Sequence, residues 1–449
     1  MVMKTRVLVV LKAKEERALL QGFPWVYDNE ISHVVYDSSG KRQKMNLNES
    51  PVASGDFVDI YTHAGALIGC GIVNKHSKIA VRLFANASHE KLDGYIERIV
   101  KNRIEQAVFL RRNYYTDSES CRLIFGEADL LFGLIVDRFV SVEKESFLVV
   151  QFHSLACEQF RALILQTLIT LCNPNAIIEK SDESIRLKEG LSLCNGVLYM
   201  RETDDAPHSV SPSHTGLDNF TNMPPMSIKI PPIVIQENEV IYYVDLLEGQ
   251  KTGFFLDQKY NRKALTQYCQ GKKVLDACSH TGGFALNAAI SGACSVTAIE
   301  ISEQAVQMIQ KNAELNGLAN RVLPICANVF DMLKQYETNG ERFDVIILDP
   351  PAFAKSVKSL KKAYSGYKEI NLRAIKLLNN GGVLVTCSCS GFFDETYFYK
   401  MLTEAATDCK VHLQILEKRG AAPDHPVLLG YPHSQYLKCA FVKVIRAEG

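Results

Sequence analysis

Two kinds of side chain sit at spacings that could carry a group transfer: the carboxylates of Asp276, Glu300 and Asp349, and the thiols of Cys387 and Cys389. Asp276 ends the short apolar run Lys273-Val274-Leu275 and precedes a loop, Ala277–Gly283, that is small, polar and closed by two glycines. Phe284–Ile290 reads as a helix, and Glu300 closes a second apolar run, Cys294–Ile299. A strand–loop–helix–strand unit with an acid at each strand end is where open α/β sheets bind ligands. Glycines in such a loop let the backbone approach a ligand closely.

The loop lacks the G-x-G-x-x-G spacing of a dinucleotide site. An acid ahead of a small-residue loop suits S-adenosylmethionine (SAM) better, because its sulfonium and amino groups are cationic. Expected cofactor contacts are Asp276, Ser279, Gly282, Gly283, Phe284, Glu300 and Asp349, with Glu300 on the ribose hydroxyls. An ordinary βαβ unit without ligand is the plain alternative.

Asp349-Pro350-Pro351 follows the apolar strand Asp344–Leu348. Two prolines lock the backbone there, so Asp349 presents a fixed acceptor to a planar amidine edge such as that of a nucleobase; a merely rigid turn is the alternative. Thr386-Cys387-Ser388-Cys389-Ser390 ends the strand that begins at Val383. Period-2 alternation sets both cysteines on one face, with Cys389 farther toward the carboxyl edge. A thiol there can act as a covalent nucleophile, although cysteines are often only small buried hydrophobes. After the D-P-P loop come Lys355, Lys358, Lys361, Lys362 and Lys368, interleaved with Tyr364 and Tyr367. Such a tract can neutralise phosphates and stack bases, or it can be the solvated face of a helix.

The elements that must position these groups follow from the rest of the chain. Its 449 residues exceed one core, so two or three domains are expected. A net charge of zero argues against a whole-molecule nucleic-acid binder and confines any such surface to a patch. The 13 cysteines are scattered and lack paired C-x-x-C knuckles, so neither a disulfide framework nor a metal site is expected, and a reducing cytoplasm is the default. No apolar run reaches membrane-spanning length, and no membrane partner is expected.

Residues 1–85 read as a β-rich domain containing the one tryptophan, Trp25, and a hairpin turning at Ala64-Gly65. Residues 86–239 read as a linking helix and a central α+β domain. Leu92, Tyr95, Ile96, Ile99, Ile104, Ala107 and Leu110 form the expected core-facing stripe of that helix. Within 203–231, which includes His208 and His214, periodicity vanishes and a loop or disordered insertion is expected. From 240 to 449 strands alternate with helices, which implies a mostly parallel, doubly wound sheet.

Together these motifs resemble the class I SAM-dependent RNA methyltransferases, specifically the bacterial 23S rRNA 5-methylcytosine family. FPWVYDNEI with SGDFVDIY resembles its N-terminal PUA domain. RLIFGEADLLFGLIVDRF and SIRLKEGL resemble its central domain, and GFFLDQKYNR the start of its catalytic domain. DACSHTGGF, DPPAFAKS and TCSCS resemble its SAM-loop, base-binding and cysteine motifs. The resemblance implies a SAM cofactor and a large-subunit (23S) rRNA partner, and it leaves open whether the chain pairs as a homodimer. It also implies that Asp349 grips the cytosine edge and that Gln258, Pro350, Pro351, Lys355, Lys361 and Lys362 face the substrate. Counting the T-C-S motif from Gly381-Gly382 makes Cys389 the implied nucleophile, with Cys387 the alternative. Where the family's third SAM motif usually offers an Asp, this chain has Asn328, whose side-chain carbonyl is the acceptor left for the adenine amine. Competing readings are a guanine-N7 methyltransferase, which needs no thiol, a non-catalytic RNA-binding protein of the same fold, and a nicotinamide dehydrogenase.

Overall fold

Runs of β-branched and apolar residues between Gly-containing turns build the N-terminal half of the chain as sheet. In the computed structural model, which describes residues 7–38, 41–201, 225–226, 228–249, 251–354 and 356–446, these runs form two sheets. Lys355 and most of the 203–231 segment, with His208 and His214, lie outside the described residues. The first sheet has seven strands, in the order Trp25–Tyr27, Ile79–Ala85, Leu67–Val73, Phe57–Tyr61, Val7–Leu11, Ile31–Ser38 and Lys41–Met45. The second has five, running from Gly196–Met200 through Ala176–Glu179, Ser146–Phe152 and Leu134–Val140 to Cys121–Phe125. Both belong to one of two compact units, made of Met1–Pro231, Asp245–Phe254 and Asp424–Ser434.

Several charges buried inside this first unit are paired. The Arg82 guanidinium meets the Glu189 carboxylate at 2.9 Å, and the Trp25 indole N–H donates to Glu127. Arg111 binds both oxygens of Asp129, at 2.7 and 2.8 Å. Arg111 also corrects the expected helix stripe. The linking segment is two helices, His89–Leu92 and Ile96–Arg111, broken where Gly94 takes φ +81°. The face toward the core carries Val100, Ile104, Ala107, Val108 and Arg111, whereas Tyr95 and Leu110 are exposed. A paired arginine thus holds a core position that apolar periodicity assigns to a leucine.

The second unit comprises Pro232–Val244, Phe255–Pro423 and Gln435–Gly449. After a hairpin of Ile233–Glu237 and Val240–Val244 and a short helix Lys259–Leu265, its central sheet and the helices between the strands are β1 (Lys273–Ala277), α1 (Gly283–Ile290), β2 (Ser295–Glu300), α2 (Glu303–Leu315), β3 (Val322–Cys326), α3 (Val329–Thr338), β4 (Phe343–Leu348), α4 (Leu360–Leu377), β5 (Leu378–Ser388), α5 (Glu395–Asp408), β6 (Val411–Arg419) and β7 (Lys438–Arg446). The sheet order is β3-β2-β1-β4-β5-β7-β6. Strands β1 to β5 pair in parallel, and β7 inserts antiparallel between β5 and β6. This is the doubly wound sheet expected from the alternation of strands and helices. Its winding reverses between β1 and β4, which opens the crevice where such sheets take ligands.

The core lies under α3, α4 and α5. Helix α4 buries Ala363, Tyr367, Ile370, Ala374, Ile375 and Leu377, a 3.6-residue spacing that leaves Lys361 and Lys362 exposed on the far side. The helix ends earlier than Gly381-Gly382, which already belong to β5.

Candidate active site

Register brings the chemistry together. Ala277 pairs with Ile299 on one side and Leu348 on the other, while Leu348 pairs with Thr386 and Cys387 pairs with Cys439. One residue farther along, the carboxyl edge therefore carries Glu300, Cys278, Asp349 and Cys387 in a row. The electrostatics agree, since Cys278 is flanked by acids. Burial, then Glu300, Asp349 and Asp276, push its thiol well above the ordinary range.

Asp276 lies at the floor of this edge and is fully buried. Its Oδ2 accepts from the Ala285 amide at 2.9 Å, and Oδ1 has no partner within the protein. Burial, reinforced by Asp349, pushes this carboxyl up to about 7. The loop above is held by backbone geometry. Cys278 and His280 occupy the left-handed region at φ +65° and +52°, and Gly282 sits at +90°. Glu300 stitches the loop down: Oε2 accepts from His280 N at 2.9 Å, and Oε1 from Ile301 N and Ser302 N at 2.9 and 3.1 Å. One lone pair remains on Oε2 for a hydroxyl donor. The Ser279 hydroxyl donates to the Asp276 carbonyl, and Phe284 is buried in the first turn of α1.

The two glycines have separate causes. Gly282 is demanded by its left-handed φ. Gly283 is demanded by Arg262, because a Cβ there would stand 3.1 Å from Arg262 Cδ, and Arg262 is itself clamped on Glu237 at 2.6 and 2.8 Å. Asn328 caps α3, its Oδ1 accepting from Phe330 N at 2.8 Å. One lone pair of the carbonyl expected to meet an adenine amine is thereby used.

A buried carboxylate oxygen without a partner, three converging acids and a tight turn fit a cationic, ribose-bearing cofactor. A family profile described as S-adenosylmethionine-dependent methyltransferase matches residues 229–430, and a PUA-like domain profile matches residues 9–86. Ribosomal RNA large subunit methyltransferase I of Aeromonas salmonicida is 36% identical over 440 residues, covering 97% of this chain and 99% of its own. The chain belongs to the ribosomal RNA large subunit methyltransferase I family. The Escherichia coli member is 33% identical over 434 residues, with 96% and 98% covered. A solved Streptococcus mutans protein, provisionally assigned as a SAM-dependent methyltransferase, superposes with a TM-score of 0.74 at 19% identity over 97% of this chain and 100% of its own. That likeness concerns the fold.

The two cysteines of this methyltransferase differ in environment. Cys387, inside β5, is fully buried. A hydrogen bond that its S–H donates to the cross-strand neighbour Cys439, then burial, then Asp349 raise its thiol well above the ordinary value, against a hydrogen bond with Gln258. Cys389 lies just past the end of β5 and is partly exposed. Gln258 is itself buried and accepts from Asn261 at 2.6 Å. Pro350 is buried and Pro351 exposed.

Tyr367 is where the sequence reading departs most from the structure. It is fully buried, and so is unavailable to stack on a nucleic-acid base. Lys368 is engaged by Glu404 and Asp408 at 3.3 and 3.0 Å. What Tyr367 does instead is brace two loops. Its hydroxyl lies 2.9 Å from Ser390 Oγ and accepts from Phe353 N at 3.4 Å, while Ser390 Oγ also accepts from Ala354 N at 3.2 Å. The D-P-P loop and the cysteine loop therefore share one hydroxyl pair. No motif signals this role, because it depends on a helix being laid across two strand ends. Tyr367→Phe is expected to cost about 1 kcal/mol of stability. It should lower kcat while leaving SAM affinity intact, as checked by calorimetry and steady-state kinetics.

Proposed function

We propose that this protein methylates C5 of a cytosine in large-subunit ribosomal RNA, with Cys389 as the attacking thiol. The observation that carries the reading is the Ser390 hydroxyl, one residue past a partly exposed cysteine and hydrogen-bonded to the loop that bears Asp349. A nucleophile and a base-gripping acid on one braced scaffold is what cytosine C5 chemistry needs, because C5 is too weak a nucleophile by itself. A guanine-N7 methyltransferase would need no such thiol.

The thiolate of Cys389 bonds to C6, which makes C5 enamine-like. Asp349 hydrogen-bonds the N3 or N4 edge and stabilises the charge that develops on the ring. SAM, when bound, supplies an electrophilic methyl to C5. Loss of the C5 proton to a base then breaks the S–C6 bond and restores Cys389. A paired target base would first be flipped out of its helix. Asp276 and Glu300 are the residues we assign to the cofactor, through its cationic end and its ribose hydroxyls. Exposed Lys361 and Lys362 are assigned to RNA phosphates, and the PUA-like domain to RNA outside the target base. All thirteen cysteines are free, which suits the reducing cytoplasm where we place the enzyme.

The deciding experiment is transfer from methyl-labelled SAM to unmodified large-subunit rRNA, followed by nucleoside analysis. Label in 5-methylcytidine is the expected product. Label in 7-methylguanosine would overturn the assignment.

A further inference from the structure

Lys438 is the one ammonium buried beside the cysteine loop among the described residues, at 8% exposure. Lysines seldom lie this deep unless something holds their charge. On β7 it is the cross-strand partner of Ser388, the residue before Cys389. Its Nζ donates to the carbonyl of Ser390, the residue after Cys389, at 2.7 Å, and to the carbonyl of Tyr436 at 2.8 Å. Lys438 thus straddles Cys389, tied by backbone to one neighbour and by its ammonium to the other. Two carbonyls use two of the three N–H donors, which leaves one available to an anion.

We propose that Lys438 is the positioning residue that stabilises the Cys389 thiolate, holding its ammonium against the sulfur so that the nucleophile is charged before RNA arrives. This rests on the reading of Cys389 as the nucleophile. Cys389, Asp394 and Glu395 face the ammonium and support its charge against a burial that brings Lys438 down to about 8. Tyr367, from α4, also has Cys389 in its field. Asp349 acts on Cys387 instead. A cation beside a thiol lowers it by about 1–3 pH units, and thiolates beside Lys or Arg are the reactive ones. The thiol proton leaves to solvent, so no further reactant is needed.

The test needs neither RNA nor SAM. The full-length protein is treated with iodoacetamide across a pH series, and alkylation of the Cys389 peptide is followed by mass spectrometry. Wild type should show a midpoint clearly below the ordinary thiol value of about 8.5. Lys438→Met, which keeps the length of the side chain, should raise the midpoint by at least about one unit. Lys438→Arg, which keeps the charge, should restore most of the shift. Equal midpoints in wild type and Lys438→Met would overturn the proposal. Should the Met variant fail to fold, a wild-type midpoint at or above about 8.5 overturns it alone. If Cys389→Ala proves fully active in methyl transfer while the alkylation shift persists, the nucleophile assignment fails and the Lys438–Cys389 coupling stands, so the two claims fail separately.

Discussion

Cys389→Ala is expected to lower methyl transfer to RNA by on the order of 10³-fold or more, the scale seen when an enzyme loses its attacking group. Cys387→Ala is expected to keep turnover within a few-fold of wild type and to cost about 1 kcal/mol of stability, as a small buried group does when deleted. The contrast comes from position. Cys387 is sealed in the sheet opposite Cys439, and its thiol is held protonated by that neighbour and by burial, whereas Cys389 stands past the strand end with access to solvent. RNA carrying 5-fluorocytidine separates the two directly, because fluorine at C5 cannot leave as a proton does. Wild type and Cys387→Ala should form a protein–RNA adduct stable to denaturing gel electrophoresis, and Cys389→Ala should form none. An adduct that survives in Cys389→Ala and vanishes in Cys387→Ala would transfer the role to Cys387.

The second large effect belongs to Asp276. Its carboxyl is raised from 3.8 to about 7 in the folded protein, so ionising it in place costs ~4 kcal/mol at 1.36 kcal/mol per unit. A group whose folded pKa lies above its unfolded one contributes stability below the unfolded pKa, near 4. That contribution is lost as the pH rises through about 7. Asp276→Asn should therefore raise the melting temperature of the ligand-free protein at pH 8 and change it little at pH 5, by scanning calorimetry. A cationic ligand reverses the preference, because it favours the carboxylate. SAM affinity in wild type should strengthen by up to about tenfold per pH unit between 5 and 7 and then level off. Asp276→Asn should weaken it by on the order of 100-fold or more and flatten that profile, by titration calorimetry. A variant that binds SAM as tightly as wild type would remove Asp276 from the cofactor site. The orphaned Oδ1 would then need another explanation.

Local signals along the chain were enough to place the α/β architecture. Asp276 and Glu300 follow apolar runs too short for anything but buried strands, and a doubly wound sheet must put such strand ends on one edge. The D-P-P turn and the T-C-S-C-S strand end needed no partner to be recognised, since prolines and period-2 alternation act within a few residues. Preference for Cys389 over Cys387 was likewise available from motif counting, before any burial was known.

Tertiary structure alone decided the rest. Tyr367 and Lys368 look like part of a basic, base-stacking tract when read in line, yet the 3.6-residue pitch of α4 turns Tyr367 into the core and Lys368 toward α5. Arg111 took a core position because Asp129 was there to pair with it, and Gly283 is required by Arg262, twenty-one residues earlier. Lys438 lies forty-nine residues beyond Cys389 and reaches the Ser390 carbonyl next to it only because β7 returns antiparallel beside β5. Strand ends and turns are written in neighbouring residues, whereas a buried charge depends on which distant group can neutralise it, and only the folded chain brings that group within reach.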